Sequence, residues 1–318
     1  MQVREQAPPV WLIAGPTASG KSALALRLAQ SLGASVINAD SMQVYRDLRV
    51  LSARPLLEEE ARAPHRLYGH VDGGEAYSVG RWQAEAVAVL AEPGPKVLVG
   101  GTGLYFRALT HGLADMPAVS EAARAAAGER LAAEGEAVFR AALRAVDPAA
   151  EGRIEAGDRQ RLTRAMAVHD ATGRALSDWR AETRPVLEAY RAVVIEPPRE
   201  VLYARCDARL EQMLEAGALA EAAALAARGL PPDRPVLKAV GVRELVAHVE
   251  GRLTLEQAKA AAQMETRRYA KRQLTWFRNQ TGDWPRLTAT DPDEAWGQFI
   301  ALKPALTLRR ASGKADPS

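Results

Sequence analysis

Val10-Trp11-Leu12-Ile13-Ala14 runs directly into Gly15-Pro16-Thr17-Ala18-Ser19-Gly20-Lys21-Ser22, and this junction decides the fold. The first five residues form a short apolar run that predicts a buried strand. The next eight fit G-x-x-x-x-G-K-[ST]. An Ala/Leu-rich helical pattern follows to about Leu32, with Gly33 as its stop. Strand, glycine loop and helix in that order predict a phosphate-binding loop. Glycines let backbone N–H groups turn inward around phosphate oxygens, and the start of the helix adds the positive end of its dipole. Lys21 supplies a mobile full charge, and the Ser22 hydroxyl is placed to ligate a phosphate-bound Mg²⁺. An ordinary glycine-containing turn does not explain why Lys21-Ser22 follows that spacing. The motif specifies a polyphosphate ligand without specifying a nucleotide.

With 318 residues the chain has room for one large or two moderate domains. Charged residues make up 25%, as in ordinary globular proteins, and Ala-rich stretches predict more helix than strand. The formal net charge of +3 does not by itself argue for nucleic acid, so the location of the positive charge matters more than its sum. The single cysteine, Cys206, excludes an internal disulfide framework and leaves too few thiols for a zinc site. No apolar run approaches the roughly 20 residues of a membrane span. Residues 1–9, with Arg4, Glu5 and two prolines, read as a loose lead-in without an apolar signal segment. A cytoplasmic protein with no membrane partner is expected.

A second apolar run, Ala34 to Ala39, ends in Asp40-Ser41. A carboxylate at the C-terminal end of a strand beside a phosphate loop lies where ligands bind in open α/β sheets. Asp40 then acts chemically, caps the next turn, or holds Mg²⁺ through water. Arg46 and Arg54 follow, within reach of an anionic ligand, whereas His65 and His70 lack metal-ligand spacing and are assigned structural places. A third strand, Lys96 to Val99, leads into Gly100-Gly101-Thr102-Gly103-Leu104-Tyr105. Its glycines fit either close backbone approach to a ligand or a plain tight turn.

From Pro117 to Trp179 strand-like runs vanish, and they resume at Ala192-Val193-Val194-Ile195. The pattern predicts an α/β protein with a P-loop NTPase-like parallel sheet flanked by helices and an inserted all-helical subdomain. Residues 1–116 and 181–318 would form the core and 117–180 the insertion. Inside the insertion, Asp158-Arg159-Gln160-Arg161-Leu162 opens a charge-dense helix. One long helix is expected from Arg199 to Arg228, with Arg205 and Arg209 one turn apart on one face. Another follows Val240-Gly241-Val242-Arg243-Glu244. The last long helix, Thr254 to about Asn279, carries Lys259, Arg267, Arg268, Lys271, Arg272 and Arg278 against Glu256 and Glu265, with Tyr269, Trp276 and Phe277 interleaved. That is either an electrostatic footprint for a nucleic-acid backbone or a basic helix whose aromatics pack in the core. An edge strand near Trp284–Thr290, a closing helix to Leu302 and an unstructured tail from Leu308 complete the expectation.

Taken together, these motifs resemble the tRNA dimethylallyltransferase family, also called tRNA isopentenyltransferases or IPP transferases, in its bacterial form. The resemblance rests on Gly-Pro-Thr-Ala-Ser-Gly-Lys-Ser at 15–22, Asp-Ser-Met-Gln-Val-Tyr-Arg at 40–46 and Gly-Gly-Thr-Gly-Leu-Tyr at 100–105. Gln-Arg-Leu at 160–162, Val-Gly-Val-Arg-Glu at 240–244 and Lys-Arg-Gln-Leu-Thr-Trp-Phe-Arg at 271–278 complete it, in the family's order. Two stretches depart from the pattern. Leu51-Ser52-Ala53-Arg54-Pro55 stands where relatives commonly have Gly-Thr-Ala-Lys-Pro, and His65-Arg66 replaces a frequent His-His pair.

The resemblance implies transfer of a dimethylallyl group from its diphosphate to N6 of adenosine at position 37 of a tRNA, with Mg²⁺ as cofactor and a monomer acting on the anticodon arm. It implies that Gly15, Pro16, Thr17, Ala18, Ser19, Gly20, Lys21, Ser22 and Arg209 hold the diphosphate, with Arg205 as the fallback for Arg209. Asp40, Thr17 and Arg209 take the catalytic roles, Asp40 as base, and Ser22 binds the metal. Thr102 contributes a hydrogen bond at the acceptor's entrance. Carried over as tRNA contacts are Asp40, Ser41, Met42, Gln43, Arg124, Asp158, Arg159, Gln160, Arg161, Leu162, Ala239, Val240, Gly241, Val242, Arg243 and Glu244. The motif Lys271, Arg272, Gln273, Leu274, Thr275, Trp276, Phe277 and Arg278 belongs to the same set. The competing expectations are an adenylate isopentenyltransferase acting on free AMP, ADP or ATP, a P-loop kinase, and a non-catalytic tRNA-binding module.

Overall fold

The computed structural model describes residues 10–117, 119–303, 306 and 308–310. The expected lead-in at 1–9 and the end of the tail, 311–318, lie outside the described residues. The strands are β1 (Val10–Ala14), β2 (Ser35–Asn38), β3 (His65–Arg66), β4 (Lys96–Gly100), β5 (Ala189–Ile195), β6 (Arg286–Leu287) and β7 (Arg309–Arg310). β1 to β6 form a parallel sheet in the order β3-β2-β4-β1-β5-β6, and β7 pairs antiparallel with β5. β1 lies at the centre, with Leu12 opposite Leu98 of β4 and Ala192 of β5. Leu12, Ile13 and Ala14 are fully buried, as a strand covered on both faces requires, which is why its sequence is continuously apolar.

The helices are α1 (Lys21–Leu32), α2 (Leu57–Glu60), α3 (Val79–Ala91), α4 (Gly103–Thr110), α5 (Glu121–Glu134), α6 (Glu136–Val146) and α7 (Pro148–Glu151). They continue with α8 (Arg159–Thr172), α9 (Leu176–Ala181), α10 (Arg199–Glu215), α11 (Ala218–Ala227), α12 (Val242–Val249), α13 (Leu255–Gln280) and α14 (Pro292–Leu302). The helix expected as one piece from Arg199 to Arg228 is two, broken at Gly217, whose φ is 101°. The tail is a partial correction as well, since Arg309 pairs with Tyr190 in the sheet.

The described residues form two compact units, 10–108 with 187–310, and 109–186. The first holds the sheet, whose core includes Trp11, Ile13, Leu24, Leu28, Val97, Val193, Ile195 and Phe299. The second, α5 to α9 with its flanking segments, extends beyond the 117–180 expected from sequence because its flanks pair with each other: Val186 N–H donates to the Leu109 carbonyl at 2.9 Å. Its own core is Leu131, Phe139, Leu143, Leu162 and Met166. Asp147 caps α7 by accepting the Ala150 N–H at 2.9 Å, and its second oxygen accepts the Ser177 N–H at 3.0 Å. No helix of the described residues is long and apolar enough to cross a membrane.

Candidate active site

The phosphate loop leaves the C-terminal end of β1 and enters α1 at Gly20. Gly20 has φ 92° and a Cβ there would press on the Thr290 carbonyl at 3.2 Å, so both the turn and the crowding demand glycine. Ala18 also sits in the left-handed region, φ 61°, a strain of about 1–2 kcal/mol for a residue with a side chain. It is held there by packing against Leu202, Cys206, Ala270 and Leu274. Lys21 Nζ donates to the Pro16 carbonyl at 3.1 Å. Burial pushes the Lys21 ammonium down to about 8; the Asp40 carboxylate opposes that shift and Arg209 adds to it. Ser19 Oγ is buried with no hydrogen-bond partner among the described residues. From α10, Arg205 Nε donates to the Ala18 carbonyl at 2.8 Å, whereas Arg209 shares the electrostatic environment of Lys21 and Asp40. Burial lowers the Arg209 pKa. Both arginines therefore serve the loop, Arg205 by bracing its backbone and Arg209 as a partly buried charge beside Lys21.

Asp40 lies two residues beyond the end of β2, the strand next to β4 in the sheet. Its N–H donates to Asn38 Oδ1 at 2.8 Å and its Oδ1 accepts the Met42 N–H at 2.9 Å, so the side chain does cap a turn. The loop after β4 closes on it: Thr102 Oγ1 accepts the Ser41 N–H at 3.0 Å, and Thr102 N–H donates to the Ala39 carbonyl at 3.2 Å. Three tyrosines feel the Asp40 charge, Tyr68, Tyr105 and Tyr269. Burial first, and then that charge, raises each phenol well above its ordinary value. The motif reading named Tyr105 and Tyr269 without linking them to Asp40 and passed over Tyr68, because nothing in their spacing announces a shared neighbour.

Arg46 is exposed and turned to the His70 carbonyl and Asp72 rather than to the loop. Arg54 packs over Gly69. The altered stretch Leu51–Pro55 is held by Glu221 of α11, whose carboxylate accepts the N–H groups of Arg49, Val50 and Leu51 at 2.5, 2.9 and 2.7 Å. Gln43 Nε2 donates to the Ser52 and Ala53 carbonyls at 2.9 and 2.8 Å. His65 Nδ1 meets the Ala63 carbonyl and His70 Nε2 meets Glu85 Oε2, each at 2.8 Å, in structural places.

α13 begins at a Thr254–Gln257 capping box and has two faces. Lys271, Arg272, Thr275 and Arg278 are exposed, and Arg268, Lys271, Arg272, Thr275 and Trp276 help to line a groove of about 460 Å³. Gln273, Leu274 and Phe277, expected as tRNA contacts, have buried side chains. Leu162, Ala239 and Val242, expected in the same set, are buried as well. Gly241, φ 87°, starts α12, with Val240 and Glu244 partly buried and Arg243 exposed. In the helical unit Asp158 caps α8 by accepting the Arg161 N–H at 3.1 Å, while Arg159, Gln160 and Arg161 are exposed. Arg124 is exposed and donates to the Val119 carbonyl.

Fold and site together define an α/β protein with a P-loop-like glycine loop after β1 and a carboxylate, Asp40, in the segment after β2, on the far side of β4 in the sheet. Residues 43–280 match the IPP transferase family and residues 8–76 match the isopentenyl transferase family. The tRNA dimethylallyltransferase of Phenylobacterium zucineum is 58% identical over 304 residues, which cover 94% of this chain and 99% of that protein. The one from a Caulobacter species is 58% identical over 287 residues, 88% of this chain and 93% of its own. Among solved structures, the tRNA isopentenylpyrophosphate transferase of Bacillus halodurans is 30% identical, with TM-score 0.66 over 94% of this chain and 96% of that one. A eukaryotic dimethylallyltransferase acting on tRNA reaches TM-score 0.79 at 27% identity, over 93% and 79% of the two chains. The chain belongs to the IPP transferase family.

Proposed function

We propose that this chain is a tRNA dimethylallyltransferase, a prenyltransferase that moves a dimethylallyl group from dimethylallyl diphosphate to N6 of adenosine 37 in the tRNA anticodon arm, acting as a monomer. The observation that carries the proposal is the meeting of Lys21, Arg209 and Asp40 in one electrostatic environment, within a chain so close to relatives of that name.

The donor's C1–O bond breaks as the C1–N6 bond forms. The diphosphate leaves with the bond's electrons, and the N6 proton passes to the Asp40 carboxylate. Growing negative charge on the diphosphate is met by the loop's backbone N–H groups, Lys21 and Arg209. Ser19 Oγ, buried and unpaired, is a donor that a phosphate oxygen would satisfy. The adenine amine is a weak nucleophile because its lone pair is delocalised into the ring. Proton removal by a positioned carboxylate therefore helps by about 10²–10⁴-fold. The hard-oxygen donor here, the exposed Ser22 hydroxyl on the first turn of α1, suits Mg²⁺. That ion needs only one or two protein oxygens beside those of the phosphates. Bound there, Mg²⁺ would neutralise diphosphate charge; Ser22 is its proposed ligand, which leaves Asp40 free to act as base.

An adenine stacked in an anticodon arm must leave the stack to reach Asp40. Thr102, hydrogen-bonded to Ser41, lines its proposed entrance. Exposed Lys271, Arg272, Thr275 and Arg278 of α13, Arg243 of α12, and Arg124, Arg159, Gln160 and Arg161 of the helical unit are the proposed tRNA contacts. Incubation with total tRNA and either labelled dimethylallyl diphosphate or labelled ATP tests the reading. Label should enter tRNA from the prenyl donor alone; comparable phosphate transfer or ATP hydrolysis would replace the proposal with a kinase.

A further inference from the structure

Gln273 sits mid-way along the basic motif of α13, yet it is 5% exposed and directed inward. Its Oε1 accepts the Thr17 N–H at 2.8 Å and its Nε2 donates to the Gly101 carbonyl at 2.9 Å. One carboxamide thus bridges two loops that arrive from different strands, the phosphate loop after β1 and the glycine loop after β4. The second loop carries Thr102, whose hydroxyl accepts the Ser41 N–H beside Asp40.

The fit is mutual. A Cβ at Gly101 would overlap the Gln273 amide, and one at Gly103 would overlap the Trp276 indole. Gln273 and Trp276 are three residues apart on one helix face. They meet alternate residues of the Gly100–Gly103 turn, so helix and loop are shaped for each other. The bonds also have a required sense. The Thr17 N–H needs an acceptor and the Gly101 carbonyl needs a donor, and a carboxamide offers both from one planar group.

We infer that Gln273 is a positioning residue for transfer: it fixes the diphosphate loop and the acceptor loop relative to each other while leaving tRNA affinity to the exposed face of the same helix. The inference rests on the transfer activity proposed above, so wild-type turnover is measured first. Its absence would overturn that activity, whereas the variants below address Gln273 alone.

Gln273→Met keeps size and loses both bonds; Gln273→Glu keeps an acceptor for Thr17 and sets a second acceptor against Gly101. Both should lower kcat/KM for dimethylallyl diphosphate by roughly 10- to 100-fold, with KM raised and tRNA affinity in filter binding unchanged. A merely structural role would reduce the amount of active protein, scaling Vmax without moving KM. A direct tRNA contact would weaken tRNA binding. Either result overturns the inference.

Gly101→Ala supplies a check from the other side, because it pushes on the Gln273 amide while residue 273 itself is unaltered. It should give the same signature in the wild-type background and a smaller effect in Gln273→Ala, where the collision is gone. Additive effects of the two changes would refute the bridge.

Discussion

Asp40 is held by its neighbours before any substrate arrives: the Asn38 amide side chain accepts its N–H, and its Oδ1 is occupied by the Met42 N–H. A carboxylate fixed by one oxygen leaves the other, Oδ2, for the proposed proton transfer from the amine. Replacing Asp40 with Asn keeps the shape and the acceptor for Met42 but removes the proposed base. Transfer in single-turnover assays should fall by about 10²–10⁴-fold while tRNA binding is retained; turnover within a few-fold of wild type would take Asp40 out of its role. At this scale Lys21 and Asp40 were legible from sequence because their chemistry belongs to the residue type and its place after a strand. The part played by Gln273 was not. A glutamine between basic residues reads as another surface group until the helix meets Thr17 and Gly101, positions distant in sequence.

α13 shows how an element divides its labour. Its apolar and amide positions, Ala270, Gln273, Leu274 and Phe277, are buried, and its charges stand on the opposite side. Those charges are not equivalent. Arg278 is paired with Glu196 at 2.6 Å, a carboxylate it shares with Arg286, whereas Lys271 stands exposed. Lys271→Ala should weaken tRNA binding and reduce the slope of log affinity against log salt by about 1. Arg278→Ala should change both less, since part of its charge is already neutralised. Filter binding over a salt series distinguishes them, and an equal slope change for both would mean that Glu196 releases Arg278 to the tRNA. Element boundaries followed sequence where a capping signal existed, as at Thr254 and Gly33. They failed at Gly217, because alanines continue the helical pattern on either side and one glycine in such a run is weak punctuation. The two-residue strand β3 carries too little pattern to be read at all.

On the scale of the whole molecule, the helical unit contains its own pH-sensitive joint. Burial works to raise the Asp147 carboxyl, but hydrogen bonds from Ser177, Ala150 and Leu176 outweigh it and hold the group below its ordinary value. A carboxyl depressed in the folded state adds stability above its unfolded pKa of about 4 and loses it as pH falls through the folded value. Asp147→Asn should therefore destabilise this unit by roughly 2–4 kcal/mol near pH 7. The gap to wild type should narrow towards pH 3. Hydrogen exchange of the α5 to α8 amides at the two pH values measures it, and a pH-independent gap would show that the charge is immaterial. The two-unit plan was readable in outline because strand-like runs stop near Pro117 and resume near Ala192. The pairing of β7 was not, since Arg309-Arg310 looks like tail until Tyr190 is beside it.

The position of β1 in the sheet has a consequence for synthesis. One of its edges is covered by β4, which ends at Gly100, but the other waits for β5 at Ala189–Ile195, and β5 in turn waits for β6 and β7. A chain emerging from the ribosome must therefore carry a bare, apolar strand edge while the whole helical unit is made, an invitation to mispairing. That unit has a compact set of internal contacts of its own, so it can close during this interval. The central strand is made early, yet its second edge is among the last to be covered.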